Sequence, residues 1–535
     1  MQFRTGEDYF TDKTFNVTPT GTLYQIDGGM YQENYTSSEL NIDGIAGKDF
    51  KITKDVALSA SVGTTYRKAK QEIFGVSGSG FTIPFLYNVA NLKGIGTYDA
   101  KPVVVNKSIY ASLDFSYKNY MYLSLTGRND WYSTLAPGKI NYLYPSISAS
   151  FVYSELIHIP NMDYGKLRLS YADVGGEADD PYQTFLTYNI IATINGFPVG
   201  NISNGAIPNS NLRPSSDKEI EFGTEMSFYK SRLKLDLSFY HKKITNSIIP
   251  ATTSATSGYT GALLNLGNLR NNGVEVLLTG TPLIKNHFDW TVILNGSYND
   301  NKVLALASDA DNLLLSNSRA GEDDGQQAYI AQIVGKPAAQ IVALDPKRDK
   351  DGNIIINPRS GAPSPGSAIY KPFGSGIDPW EGGITNDFVY RNFNLSFLIE
   401  GKFGGKIFSG TNYYAYQLGL SKETLAGRDQ RYGTDTLYPQ DYYTRLSTIN
   451  SMFIYNASFI KLRQISIGYN FPKKWLHNKF QQVNLSFVAR NVLTLMKHTP
   501  NIDPESNYTN GNGQGLELAG VPYSRTYGIN LSVRL

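Results

Sequence analysis

The chain has 535 residues, of which 41% are hydrophobic, 13% aromatic and 18% charged, with 50 Gly and no Cys; a disordered or collagen-like chain is excluded. A formal net charge of +3, with Lys and Arg scattered along the chain, leaves no basic patch for nucleic acid. Without Cys there are no disulfides, no thiol catalysis and no Cys-ligated zinc. No apolar run reaches the roughly 18 to 20 residues of a spanning helix, so membrane insertion requires a β-barrel. The 38 Tyr and 26 Phe suit half-buried strands that carry amphipathic aromatics at a membrane interface. The opening Met1-Gln-Phe-Arg-Thr-Gly-Glu-Asp has neither a basic n-region nor an apolar h-region and does not read as an export signal.

Taken in chain order, segment after segment alternates apolar and polar residues with period two, over the roughly 9 to 11 residues that a tilted strand needs to cross a bilayer. A first strand is predicted at about 36 to 49. From Ser108 to Lys118, Ile109, Ala111, Leu113, Phe115 and Tyr117 share one face, while Tyr110, Ser112, Asp114 and Ser116 share the other. Leu233, Leu235, Leu237 and Phe239 oppose Lys234, Asp236, Ser238 and Tyr240 in the same way. The pattern recurs at Trp290, Val292 and Leu294, at Phe393, Leu395, Phe397 and Ile399, and at Val483, Leu485 and Phe487. The last strand places Tyr527, Ile529, Leu531, Val533 and Leu535 on one face.

A soluble sandwich would alternate too, so connection lengths decide. Short links near 51, 118 to 120, 159 to 164, 230 to 232, 282 to 287, 390 to 392 and 472 to 480 alternate with long ones. The long ones lie at about 68 to 105, 131 to 142, 176 to 215, 247 to 263, 303 to 377, 404 to 453 and 496 to 523. Tight turns at one rim and extended loops at the other are the signature of an outer-membrane barrel. About sixteen strands are expected. Bacterial barrels of this kind close on an amphipathic final strand, which assigns that role to Tyr527 through Leu535 and puts the long links outside; the usual terminal aromatic is here Leu535.

The stretch Asn265-Leu-Gly-Asn-Leu-Arg-Asn-Asn-Gly-Val-Glu-Val-Leu-Leu, followed by Phe288-Asp-Trp-Thr-Val-Ile-Leu-Asn-Gly-Ser-Tyr-Asn-Asp-Asn, resembles a hairpin of SusC/RagA-type TonB-dependent transporters of Bacteroidota. Trp380-Glu-Gly-Gly-Ile-Thr-Asn-Asp-Phe, Phe459-Ile-Lys-Leu-Arg-Gln-Ile-Ser-Ile-Gly-Tyr-Asn-Phe-Pro, Asn491-Val-Leu-Thr-Leu, Asp503-Pro-Glu and Pro522-Tyr-Ser-Arg-Thr-Tyr-Gly-Ile-Asn-Leu extend the likeness from about Asn34 to the end. The resemblance implies an all-β, antiparallel transmembrane β-barrel of 22 strands with a plugged lumen. Residues 1–535 would supply about sixteen of those strands, the plug domain, TonB box and signal peptide being absent from the sequence read. It further implies import of glycans, oligosaccharides or peptides across the outer membrane and a SusD-like surface lipoprotein at the mouth. The TonB-ExbB-ExbD complex would engage the missing plug, and outer-membrane lipid would surround the barrel. A passive sixteen-stranded porin and a surface adhesin are the rival readings; conductance in planar bilayers separates the first, and solubility without detergent the second.

Enzyme chemistry finds no support. His158, His241, His287, His477 and His498 form no H-E-x-x-H or i, i+4 pair. Asp349-Lys-Asp-Gly-Asn fails the EF-hand spacing, which would put Lys347 first and Pro358 twelfth, and reads as a turn fixed by Asp and Gly, with a calcium site of another kind as the alternative. Gly78-Ser-Gly80 and Gly511-Asn-Gly513-Gln-Gly515 lack a nucleotide fingerprint. The acidic runs Asp179-Asp180 and Glu322-Asp-Asp324 are sequence neighbours in solvated loops, unlike carboxyls facing each other across a cleft, and no G-x-S-x-G elbow occurs. No cofactor or metal is expected. The informative cluster is aromatic. Tyr413, Tyr414 and Tyr416, with Tyr438, Tyr442 and Tyr443 further along the same long link, and Trp380 at the outer end of a strand, could stack on sugar rings beside Asn, Gln and Asp. An interfacial girdle or plain loop packing would call for the same residues.

Overall fold

The computed structural model describes residues 1–535 apart from 24, 179, 203–205, 253–258, 260, 266, 307–309, 322–326, 365–369, 426, 427, 429–438, 477–479, 509, 510 and 535. Of the residues singled out above, Asp179, Glu322, Asp323, Asp324, Tyr438, His477 and Leu535 lie outside the described ones. Among the described residues the large sheet counts seventeen strands, sixteen of them long. In chain order these are β1 (Gln2–Thr18), β2 (Gly29–Lys51), β3 (Val56–Ser79), β4 (Val103–Tyr117), β5 (Met121–Tyr132), β6 (Asn141–Phe151), β7 (Met162–Gly176), β8 (Ser215–Phe228), β9 (Leu233–Thr245), β10 (Asn268–Lys285), β11 (Phe288–Ala305), β12 (Trp380–Tyr390), β13 (Phe393–Phe403), β14 (Phe459–Asn470), β15 (Gln482–Lys497) and β16 (Thr526–Arg534). The seventeenth, Gly96–Ala100, pairs along the outer part of β3. Short and long links alternate, from the four residues between β2 and β3 to the long stretch between β11 and β12, except that residues 133–140 between β5 and β6 are fewer than residues 152–161 between β6 and β7.

Two compact units divide the chain. The first comprises Met1–Ala149, Tyr171–Lys218 and Asn246–Asn265, and the second Ser150–Ser170, Glu219–Thr245 and Leu266–Leu535. In the first unit β1 lies antiparallel on β2 from Gln2 opposite Ile45 to Thr18 opposite Gly29, and β2 on β3 from Gly29 opposite Ser79 to Lys51 opposite Ala57. β4 continues the ladder on β3, and β5 on β4. Strand β1 escapes the sequence reading because Glu7-Asp-Tyr-Phe10 breaks its alternation. β2 and β3 also outrun their expected bounds: 23 residues at about 3.3 Å per residue make roughly 75 Å of strand, far more than a bilayer crossing needs.

In the second unit an unbroken antiparallel succession runs from β9 through β10, β11, β12, β13, β14 and β15 to β16. The expected faces hold. Arg168 on β7 reaches Asp236 and Ser238 of β9 at 2.6 and 2.5 Å on the polar side, while Phe393, Leu395, Ile467, Leu485 and Phe487 stand exposed on the other, as lipid-facing side chains must. On β16, Leu531 lies opposite Leu485 and Ile529 opposite Phe487. Tyr527, Ile529, Leu531 and Val533 are all exposed, and β15 is the partner recorded for this strand among the described residues.

Polar-side tyrosines lie over glycines on the neighbouring strand. Tyr240 is opposite Gly273, and a Cβ on Gly273 would fall 2.1 Å from the Tyr240 ring. Tyr110 and Gly63 repeat the arrangement in the first unit, at 2.3 Å. The ring covers backbone that a glycine leaves bare and fixes cross-strand register. Replacing Gly273 with Val displaces Tyr240 and is expected to cost about 1–3 kcal/mol, read as a lower temperature for loss of the compact, heat-modifiable gel band, with Gly528→Ala, which meets nothing within 4 Å, as the neutral comparison.

Candidate functional site

In the second unit the three longest links fold together. Residues 312–317, 329–333, 340–343 and 371–375 form a four-stranded antiparallel sheet. Residues 406–409 pair antiparallel with 454–456 of the same link and parallel with 516–517 of the last one, and the Ser451 N–H donates to the Leu344 carbonyl at 3.2 Å, so all three links share backbone bonds and leave fewer polar groups to be buried unpaired. Between them lies an apolar core of Ile330, Ile341, Phe408, Tyr413, Phe453 and Leu516. Helix α1 (Gly410–Gln417) packs there beside α2 (Pro439–Ser447).

Polar side chains lock this core. Ser409 caps α1, its hydroxyl accepting from the Asn412 N–H at 3.1 Å. Glu517, fully buried, accepts from the hydroxyls of Ser409 and Thr411 at 2.8 and 2.5 Å and from the Gly520 N–H at 3.2 Å. A carboxylate at a helix N-terminus also meets the positive end of the helix dipole. Asn412 donates to the Pro500 carbonyl and accepts from Asn501, and Asn450 accepts from the Leu344 N–H at 2.7 Å.

A charge cluster ties the last link to the sheet. Lys461 Nζ donates to both Asp503 oxygens at 2.8 and 3.0 Å and to Glu505 at 2.6 Å. Arg463 holds Glu400 at 2.8 Å and Glu505 at 2.6 Å. The Lys461 side chain is only 6% exposed and lies against the Phe459 and Tyr523 rings. Arg463 is skipped in the ladders to both neighbours. It is the extra residue of a bulge, so Lys461, Arg463, Gln464 and Ser466 can all serve the polar side. The sequence reading took Asp503-Pro-Glu only as a mark of resemblance; the adjacent polar pair Arg463-Gln464, a slip of phase in an alternating strand, is the signal that could have located the cluster.

Two cavities open on polar surfaces of this unit. One, about 440 Å³, lies in the folded links and is lined by Tyr416, Tyr443, Gln440, Thr424 and Arg428. The Tyr416 and Tyr443 rings are 6.1 Å apart and nearly perpendicular. Tyr443 donates to the Glu423 carbonyl at 3.2 Å, and Arg428 to the carbonyls of Gly419 and Thr424 at 2.8 and 3.2 Å. Burial pushes the Tyr416 phenol above its ordinary value, keeping it a neutral donor. The other, about 500 Å³, lies on the polar side of the strands, where Asp236, Glu275, Glu381 and Glu400 surround Arg168.

The predicted aromatics therefore separate. Tyr416 and Tyr443 meet at one cavity. Tyr413 is fully buried against Phe453, Tyr414 packs on Tyr413 and Tyr442 on Tyr443. Trp380 stands 55% exposed on β12, its ring 4.2 Å from the Tyr298 ring directly across the ladder and tilted by 36° to it. Asp349 forms a turn: its Oδ1 accepts from the N–H groups of Asp351 and Asn353 at 2.9 and 2.8 Å, Gly352 takes φ +86°, and the bonds from Asn353 hold the carboxyl below its usual range. Among the described residues no group of three or more His, Asp or Glu is placed to hold a metal.

The family model described as TonB dependent receptor-like, beta-barrel matches residues 2–492. TonB-dependent receptor P26 of Formosa agariphila is 27% identical over 526 residues, 90% of this chain and 52% of that protein. TonB-dependent receptor SusC of Bacteroides thetaiotaomicron is 23% identical over 463 residues, 80% of this chain and 43% of that protein. The chain thus spans about half the length of the curated relatives it matches. A solved structure titled as the RagAB peptide transporter superposes with a TM-score of 0.81 over 100% of this chain and 60% of that one, at 17% identity, which is a likeness of fold.

Removing one partner from a buried charge cluster leaves the others uncompensated. Lys461→Met is expected to cost about 3–5 kcal/mol and to make residues 498–525 of the unheated protein open to protease. Glu517→Gln, which keeps the shape but weakens the acceptor, is expected to cost less, about 1–2 kcal/mol, and to expose 404–425 first; equal digestion of both variants and the parent would contradict the roles given to these side chains.

Proposed function

Because the chain belongs to the TonB dependent receptor-like β-barrel family of outer-membrane proteins, we propose that it supplies the barrel of an active importer that brings oligosaccharides across the outer membrane. One observation carries the substrate side of this reading. Three links fold into a shared core and present a cavity walled by Tyr416 and Tyr443, with Gln440, Thr424 and Arg428 at its polar edge. Aromatic faces with a few placed hydrogen-bonding groups suit a sugar ring, whose C–H face is apolar and whose hydroxyls are not. A folded platform holds those groups in place before the ligand arrives, which lowers the ordering cost of binding.

The acidic lining around Arg168 suits a polar passage along the strands. In the proposed whole protein a plug closes that passage, and TonB-ExbB-ExbD supplies the work through it. A SusD-like lipoprotein covers the mouth and delivers the ligand. The name of the RagAB complex, a peptide transporter, makes peptides the outcome that would redirect the reading.

In the full-length protein, Tyr416→Ala and Tyr443→Ala are each expected to weaken oligosaccharide binding about 3- to 10-fold by calorimetry, the order of one lost aromatic contact. Uptake should stop when TonB is deleted, and a SusD-like lipoprotein should co-purify. Binding of peptides in place of oligosaccharides, or variants indistinguishable from the parent, would overturn the substrate; uptake that persists without TonB would overturn the active mechanism and favour a passive channel.

A further inference from the structure

The outward face of β9, β10 and β11 carries a third cavity, a groove of about 470 Å³ lined by Leu233, Leu278, Val292 and Leu294 and ending at Tyr229 and Arg232. Its face follows from register. Asp236 and Ser238 grip Arg168 on the polar side, so Leu233 and Leu235 point the other way; Leu233 and Leu235 are opposite Gly280 and Leu278, and these opposite Val292 and Leu294.

Two features open the groove. Gly280 brings no side chain, and a Cβ there would meet only Leu233, at 4.0 Å. Beyond it the register slips between Gly280 and Leu283, which frees Thr281 and Pro282 from the ladder with β11. The freed carbonyls are taken by Arg232, whose Nε donates to Thr281 at 3.1 Å and Nη2 to Pro282 at 2.8 Å, while the Thr281 N–H donates to the Arg232 carbonyl at 2.7 Å. The guanidinium is thereby pinned at the end of an apolar trough. Lys230, in the same short link, and Lys285, at the end of β10, are exposed. Of the nearby carboxylates, Asp163 is engaged by the Ser231 N–H at 2.8 Å, and Asp289 alternates to the opposite face from Trp290.

We propose that this groove is a specific phospholipid site: one acyl chain lies along Leu233, Leu278, Val292 and Leu294, and the phosphate of an anionic headgroup meets Arg232 and Lys230. The volume is that of a formed ligand site, its lining matches a hydrocarbon chain, and a fixed cation at the membrane boundary matches a phosphate. The end that bears Arg232 is the rim of short links, which faces the periplasm in such barrels, so the occupant belongs to the inner, phospholipid leaflet.

Native mass spectrometry of the full-length protein, released from its own membrane in mild detergent, tests this with phosphatidylglycerol, phosphatidylethanolamine and lipopolysaccharide as probes. One retained phosphatidylglycerol is expected, and Gly280→Leu, which fills the trough, should abolish its retention while the heat-modifiable band persists. Lys230→Gln should weaken phosphatidylglycerol about fivefold, the share of one basic group at a membrane surface, and phosphatidylethanolamine less, because its ammonium already offsets the phosphate charge. Retention unchanged in Gly280→Leu, equal binding of both phospholipids by the parent, or preferential retention of lipopolysaccharide would each overturn the proposal.

Discussion

A bilayer offers no hydrogen bonds, so a strand that crosses it must find partners for every N–H and C=O in neighbouring strands. The rest of this molecule follows from that requirement. The ladder from β2 to β3 runs from Gly29 opposite Ser79 to Lys51 opposite Ala57 without a slip, and the succession from β9 to β16 carries the same logic through the second unit. Once the backbone is committed, side chains have only two directions, and the period of two in the sequence is the consequence. Departures from the ladder are correspondingly informative. The slip after Gly280 releases two carbonyls that Arg232 must take up, and the bulge at Arg463 accommodates a second polar residue in succession on the polar side.

Outside the bilayer the constraint relaxes, and the chain solves the same problem differently. The long links of the second unit build short sheets from one another, 406–409 taking 454–456 on one edge and 516–517 on the other, and then bury Phe408, Phe453 and Leu516 as any soluble core would. A scaffold of this kind holds loop side chains in place, where a free loop would have to give up conformational entropy to do so. Tyr416 and Tyr443 are placed by α1 and α2; α1 is fixed by Ser409, Asn412 and Glu517, and α2 packs beside it with Tyr443 donating to the Glu423 carbonyl.

How far this was legible in the sequence depends on the range of the interactions involved. Alternation and link length are local, so the faces at 108–118 and 233–240, the order of short and long links and the final strand could be read directly. β1 could not, because Tyr9 and Phe10 stand side by side and the strand is fixed by its pairing with β2. The core of the links lay further out of reach. Tyr413 meets Phe453, and Ser409 meets Glu517 more than a hundred residues away; nothing in the spacing of three tyrosines tells which one turns inward. Composition marked the cluster as aromatic, and only tertiary structure separates fully buried Tyr413 from Tyr416 at the cavity.

The charge cluster at β14 joins these two regimes. Lys461 and Arg463 belong to the ladder, Asp503 and Glu505 to the last link, and Glu400 to the adjoining strand. Desolvating these groups is costly, and the cost is offset only while every member keeps its partner. Glu505 is shared by both cations, so a displacement of it takes one partner from Lys461 and one from Arg463 at once and leaves them Asp503 and Glu400. The cluster thereby fixes the position of the link at Asp503 and Glu505 against β14. Arg463 can join Lys461 in that contact, with Gln464 directly after it, because the bulge takes Arg463 out of both ladders.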